Sequence, residues 1–512
     1  MPSRAYALLR LLGIFVTLCL LHYPLLSLPY FWDEAGYYIP AALDFYQSGV
    51  LIPQSTLPTG HTPLVMVYLG MVWHVFGFSP VVTRTAMVFV AAAMVAALYA
   101  LARRVASREI AVWSALLLAL SPLFFAQSSL AHLDLAAGLF TVLAVFALLD
   151  QRMLMFAVVA SLAVLSKETA VVLLPVAWVF AWRSAGARRA VPFLKMCIAL
   201  TVPLLLLLAW AVYYHHATGY WTGNREYLQY NLYSTLSPAR VLLTLLRRLY
   251  EVFFGGFNWL LAGGAVLGFW CGRKHASSSP ETPIGEPARR RRAFSFLTVG
   301  LGAIYLGMLS VVGGAVLPRY LLPIFPPLIL AAVILLSRLP SRLAQLICLA
   351  AAGCFVSAWF INPPYPFPFE DNLAYADFAR VHQQAAKFLT AQPGQPRILT
   401  AWPASDELTR PFLGYVRARL RVVPIESFTS HDFQNLPPES FDLLYLYSRK
   451  WEPRDNWLIR FPRLRQLQER YFDYRPEIPE EVLMDHYPLK LLQRFERRGQ
   501  WVRIYAKDQK IK

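Results

Sequence analysis

The chain has 512 residues, 57% of them hydrophobic and 15% charged, whereas soluble proteins carry about 25% charged residues. Most of this chain therefore faces something other than water. The net charge of +18 does not mark a nucleic-acid binder, because 14 of the 18 excess charges lie in residues 1–361, between apolar stretches, where basic loops fix membrane orientation.

In chain order, apolar stretches of spanning character run near 7–29, 81–102, 110–127, 134–150, 153–166, 169–182, 192–214, 252–271, 294–316, 320–337 and 342–361. A spanning helix needs about 20 mostly apolar residues, and the pair at 153–182 is short, broken by Ser166-Lys167-Glu168. The expectation is a polytopic α-helical membrane protein with about eleven transmembrane helices. Its first span lacks a small-residue cleavage site and reads as a retained anchor. Arg4 and Arg10, Arg103 to Arg108, Arg183 to Arg189, Arg273 to Arg292, and Arg338 with Arg342 mark alternate loops as cytoplasmic. The loops at 30–80, 128–133, 166–168, 215–250 and 317–319, and the C-terminal region, then face outward; Arg247 and Arg248 break the alternation.

Residues 272–293, rich in Ser, Pro and Arg, read as a cytoplasmic linker. From residue 362 the composition becomes that of a soluble protein. Helical periodicity over 375–391 and β-like runs at 397–401, 420–425, 441–447 and 501–506 predict a soluble α/β domain over 362–512, after a transmembrane module over 1–361. The five cysteines, Cys19, Cys197, Cys271, Cys348 and Cys354, sit in or beside apolar stretches and read as small core residues.

Acids are scarce before residue 362, and in lipid such residues usually mark function. Asp33 and Glu34 follow the first span among aromatics; they are either a paired base and its orienting neighbour or a solvated helix cap. His61-Thr62-Pro63 caps the next apolar helix or offers a donor to an anion. His132 and Asp134 flank the start of the fourth span, where Asp134 either complements the helix dipole or serves as a second acid. Lys167, beside Glu168, either snorkels to the interface or pairs with a phosphate. Arg319 and Tyr320 stand at the outer end of another span, as interfacial anchors or as a phosphate grip. Together these place carboxylates, His, Lys, Arg and Tyr on one outer face.

The Asp33-Glu34 pair, the His61–Leu64 stretch, Asp134, Leu-Ser-Lys-Glu at 165–168, and Arg319-Tyr320 with Pro323 resemble the polyprenyl-phosphate-sugar-dependent glycosyltransferases of the GT-C fold. The protein O-mannosyltransferases and the lipid A aminoarabinose transferases are the most similar families. The resemblance spans roughly residues 1–360 in layout and implies an inverting transfer from a polyprenyl-phosphate-linked sugar to an acceptor lipid, protein or glycan at the outer face of the inner membrane. It implies Asp33 as base, Asp134 as a second acceptor-side or structural acid, and Arg319 and Tyr320 on the donor phosphate; in the mechanism read from these residues, Lys167 and His61 join them there. The family often carries Lys where His61 stands. No cofactor is required by this scheme, although a divalent metal bridging Asp33, Glu34 and the phosphate is compatible with it. The C-terminal domain is expected to be periplasmic or extracellular. The rival reading is a transporter or flippase of a lipid-linked or anionic substrate, disfavoured by acids at one membrane edge and by the lack of an internal repeat.

Overall fold

A computed structural model describes residues 4–185, 190–276, 286–428, 433, 436–451, 460–472 and 487–507. The chain divides into two compact bodies. The first comprises Met1–Tyr23, Ala41–Phe78 and Val82–Phe360; the second comprises Pro24–Pro40, Ser79–Val81 and Ile361–Lys512. The loop carrying Asp33 thus folds with the C-terminal domain, although it leaves the first helix.

The first body is helical. Among the described residues, five of its helices are long and apolar enough to cross a membrane: Ala5–Leu25, Pro80–Val105, Lys195–Thr218, Glu286–Val311 and Ser341–Ala358. Leu64–Phe76, Leu133–Leu149, Met153–Ser166 and Phe325–Leu336 are shorter apolar helices. The first helix exposes Leu8, Leu9, Leu12, Val16 and Leu20, and the helix through residue 205 exposes Val202, Leu204, Leu205, Leu208 and Val212. Apolar faces this large are unfavourable in water and suit lipid. The expected break at 166–168 is present: one helix ends at Ser166, a 3₁₀ turn covers Glu168–Val172, and a helix resumes over Leu173–Ala185. The stretch at 110–127 is two helices, Arg108–Leu120 and Pro122–Gln127, because Pro122 has no N–H to continue the first ladder. The expected span at 252–271 shifts to Trp259–Ala276. Of the expected linker, 277–285 lies outside the described residues, and Glu286 already opens a helix.

Helix Pro238–Phe253 is polar on its buried side and apolar on its open side. Arg240, Thr244 and Arg248, spaced by four, are buried together with Val252, whereas Leu242, Leu246, Tyr250 and Phe253 are exposed. Such an arrangement fits an apolar surround and a charged interior.

Helix Trp259–Ala276 presses Gly264, Gly268 and Gly272 against the end of Phe325–Leu336. A Cβ at Gly264 would meet Leu336 at 2.6 Å, and one at Gly268 would meet the Leu335 carbonyl oxygen at 2.0 Å. Small residues at four-residue spacing let helix backbones approach where lipid supplies no hydrophobic drive.

The second body holds a five-stranded sheet. Its strands are β1 (Ile398–Ala401), β2 (Val422–Ile425), β3 (Leu443–Tyr447), β4 (Leu489–Arg497) and β5 (Gln500–Lys507), in the order β2-β1-β3-β5-β4. β1 pairs in parallel with β2 and β3, and β5 pairs antiparallel with β3 and β4. Four strands match the expected runs; β4 is the additional one, its side chains mostly exposed and its pattern polar. Helix Ala374–Thr390 covers β4 and β5, and Leu399, Phe433, Phe441, Leu444, Tyr487 and Tyr505 form the core.

Gly268→Ala should cost about 1–3 kcal/mol by overpacking and lower the thermal midpoint of the detergent-solubilised protein. Gly263→Ala, whose Cβ would enter open space, should leave the midpoint unchanged or raise it slightly. Equal midpoints for the two variants would contradict this helix contact.

Candidate functional site

Asp134 lies in the first turn of helix Leu133–Leu149 and is 1% exposed. Lys167, in the break after helix Met153–Ser166, brings its Nζ to 2.6 Å from Asp134 Oδ1. Arg319, in the 3₁₀ turn Pro318–Leu321, brings Nε to 3.6 Å from the other oxygen. One carboxylate therefore faces two buried cations. A helix start, a helix break and a 3₁₀ turn place these three groups.

His132, the residue before that helix, is fully buried. Its Nδ1 lies 2.7 Å from Gln127 Oε1 and its Nε2 lies 3.3 Å from an Arg319 nitrogen. A guanidinium only donates and an amide oxygen only accepts, so Nδ1–H donates to Gln127 while Nε2 accepts from Arg319. This requires a neutral ring. Burial, followed by the charges of Arg319, Lys167 and Arg84, holds the His132 pKa well below its ordinary value of 6.5. His132 and Asp134, two apart in sequence, converge on Arg319 because His132 is still extended where the helix begins.

Tyr320 gathers the cations. Lys167 Nζ lies 3.9 Å from its ring centroid, Arg319 5.5 Å and Arg248 5.7 Å. Arg248 is fully buried on helix Pro238–Phe253. It donates to the Leu317 carbonyl at 2.6 Å and pairs with Glu251 at 3.0 Å. Its Nε and second terminal nitrogen find no hydrogen-bond partner among the described residues. Arg84, also fully buried, donates to the Ser129 carbonyl at 2.9 Å. Arg84, Lys167, Arg248 and Arg319 are thus buried in the same body as the carboxylates Asp134, Glu168 and Glu251. Burying unpaired charge is costly, and unfilled guanidinium donors suit the oxygens of an anion.

His61 and Glu168 form a separate pair, with His61 Nδ1 3.1 Å from both carboxylate oxygens and its ring edge-on to Tyr227. Burial pushes the Glu168 carboxyl up, but the His61 ring and the Lys167 charge outweigh it and bring it to about 2. Neither cap expected at 61–62 forms: Thr62 donates to the Val164 carbonyl at 2.9 Å, and Pro63 stands at the N-cap. His61 thus acts on a carboxylate.

Asp33 and Glu34 belong to the second body. Glu34 is fully buried, and its Oε2 accepts from the Phe31 N–H at 2.9 Å. It closes its own turn. Asp33 is half-buried and makes no side-chain cap bond to the π-helical turn Glu34–Tyr38 that it precedes.

Arg84 and Arg248 were not singled out as site residues from sequence, although signals existed. Arg84 is a charge inside an apolar stretch, and Arg248 interrupts the alternation of basic loops. A family model described as dolichyl-phosphate-mannose-protein mannosyltransferase matches residues 60–215, the segment holding His61, His132, Asp134, Lys167 and Glu168. None of the curated proteins matches this chain. Among solved structures, ArnT from Cupriavidus metallidurans in the apo state is similar at 14% identity over 96% of this chain and 97% of that one, with a TM-score of 0.57. The same protein bound to undecaprenyl phosphate gives 14% identity, 98% coverage of both chains and a TM-score of 0.58. The Archaeoglobus fulgidus oligosaccharyltransferase tethered to an acceptor peptide gives 11% identity, 99% of this chain, 74% of that one and a TM-score of 0.51. The chain therefore has the GT-C fold, a helical membrane module with a C-terminal domain.

Removing the Asp134 charge leaves its cations uncompensated, so Asp134→Asn should destabilise the protein by about 3–5 kcal/mol. Adding Lys167→Met to that variant should recover part of the loss, as read by denaturation in detergent; additive losses would contradict the pairing. His132 gives a pH dependence. Its folded pKa is depressed, so below about 6.5 the unfolded chain binds a proton that the folded one does not. Stability should fall as pH drops through that value, and His132→Gln should flatten the slope.

Proposed function

We propose that this protein transfers a sugar from a polyprenyl-phosphate donor to an acceptor lipid, protein or glycan, with inversion at the anomeric carbon. The observation that carries this reading is the cluster of cations around Tyr320, with the Arg248 donors that find no partner among the described residues. The likeness to a structure holding undecaprenyl phosphate supports it, as does the family match over 60–215.

Arg248 and Arg319 hold the donor phosphate, and the Tyr320 hydroxyl donates to the same group. Lys167, neutralised by Asp134 when the site is empty, shares its charge with the phosphate when the donor binds. His61 keeps Glu168 occupied, so that this carboxylate does not compete with the anion for Lys167.

The acceptor hydroxyl gives its proton to Asp33 as its oxygen attacks the anomeric carbon. The bond from that carbon to the phosphate oxygen breaks, and its electron pair leaves with the polyprenyl phosphate. Negative charge grows on the leaving phosphate, where guanidinium donors already in place lower the barrier. A phosphate leaving group needs no proton, so one base suffices. The reaction takes place at the outer membrane face, with the C-terminal domain periplasmic or extracellular, as the basic loops imply.

Membranes holding the protein, incubated with farnesyl- and undecaprenyl-phosphate-linked mannose, galactose and aminoarabinose plus cell-envelope extract, should consume one donor and release polyprenyl phosphate. Asp33→Asn should bind that donor but slow its consumption at least about 100-fold, within the range for loss of a general base. Arg248→Met should weaken donor binding. Undiminished turnover by Asp33→Asn would remove Asp33 as the base. No consumption of any donor, with transfer of intact donor across the bilayer, would favour the transporter.

A further inference from the structure

Asp33 sits in a turn that is built by the C-terminal domain. The residue before it, Trp32, has φ +46°, a left-handed conformation that costs an L-residue with a bulky side chain. The turn after it, Glu34–Tyr38, is π-helical, an uncommon form that needs outside support. Helix propensity does not hold Asp33 where it is.

What holds it is aromatic. Trp32 packs edge-on against Trp402 at 5.4 Å and against Phe378 at 5.7 Å between ring centroids. Phe31 meets Phe378 at 5.3 Å. Gly36 lies so close to Trp402 that a Cβ there would stand 2.6 Å from the indole. Tyr30 donates its N–H to the Leu413 carbonyl and accepts from the Tyr415 hydroxyl, both at 3.1 Å.

The seat is itself braced. Trp402 directly follows β1, at the carboxyl end of a strand flanked by two parallel neighbours. Its carbonyl accepts from the Tyr447 hydroxyl of β3 at 2.6 Å. Phe378 stacks on His382 at 3.8 Å. His382 Nδ1 in turn lies 2.6 Å from Glu407, on the helix Ala404–Thr409 just after Trp402. A buried polar pair thus ties the two aromatic supports together.

We infer that Trp402, with Phe378, is a positioning residue of the transfer reaction: it clamps Trp32 in its left-handed conformation and so fixes where the Asp33 carboxylate points. The C-terminal domain then contributes to chemistry rather than only to acceptor capture. This inference rests on Asp33 as the base. A bare hydrophobic core would not require a left-handed Trp, a glycine pressed onto an indole and a π-turn in the residues around one acid.

The test uses full-length Trp402→Ala, Trp402→Phe, Gly36→Ala and Asp33→Asn, with the consumed lipid-linked donor as probe and hydrogen exchange as a second readout. Trp402→Ala and Gly36→Ala should lower kcat about 100-fold, the loss expected when a reacting group is misplaced by about 1 Å, with the donor KM little changed. Trp402→Phe should recover most of the rate. Exchange should rise at residues 31–38 while β1 and β3 stay protected. Wild-type kcat in Trp402→Ala, where Asp33→Asn is inactive, would overturn the inference, and so would unchanged protection at 31–38. If Asp33→Asn itself turns over normally, the base assignment fails instead, and the exchange data alone decide whether Trp402 holds the turn. Should Trp402→Ala lose protection throughout the sheet, Gly36→Ala and Trp402→Phe decide by the same criteria.

Discussion

Positive charge held out of water is the constraint on which the helical body is organised. Arg84, Lys167, Arg248 and Arg319 are all buried. A carboxylate between two cations, as Asp134 stands between Lys167 and Arg319, lowers the desolvation cost without cancelling it. A neutral His132 is forced by the same field, since a second positive ring beside Arg319 would add repulsion to burial. The backbone follows suit: a helix stops at Ser166, before Lys167, and a 3₁₀ turn at Pro318–Leu321 carries Arg319.

Membrane burial explains the inside-out helix Pro238–Phe253. In water its charged stripe would be the solvated face and its leucines the core. Here Arg240, Thr244 and Arg248 turn inward, and Leu242 and Leu246 turn outward. The period is the same in both cases, so periodicity alone does not say which face is buried; surrounding composition decides. For this reason Arg248 reads from sequence as an exception to a charge rule, while the structure makes it part of the site.

Much of the architecture was legible for physical reasons. Long apolar stretches can satisfy their backbone in lipid only as helices, and four of the five strands follow from β-branched and aromatic runs. β4 escaped because an exposed edge hairpin strand, Leu489–Arg497, carries Lys, Gln, Arg and Glu with little alternation. Asp134, Lys167, Arg319, Tyr320 and His132 were legible as scarce polar groups at span ends, and they do converge. The packing of Trp32, beside Asp33, against Phe378 and Trp402 was not legible, because it joins residues more than 300 positions apart through ring contacts that no local pattern encodes. Glu34 reads as a catalytic partner in sequence, and in the structure its Oε2 accepts from the Phe31 amide.

The central claim is that the cationic cluster around Tyr320 binds a lipid-linked phosphate. The most direct test compares binding of undecaprenyl phosphate and of uncharged undecaprenol to the detergent-purified protein, wild type against Arg248→Met. The account predicts that wild type prefers the phosphate, that raised salt weakens this preference little because the pocket is buried, and that Arg248→Met loses most of it. Equal binding of phosphate and alcohol by wild type, or a preference untouched by Arg248→Met in a folded protein, would contradict it.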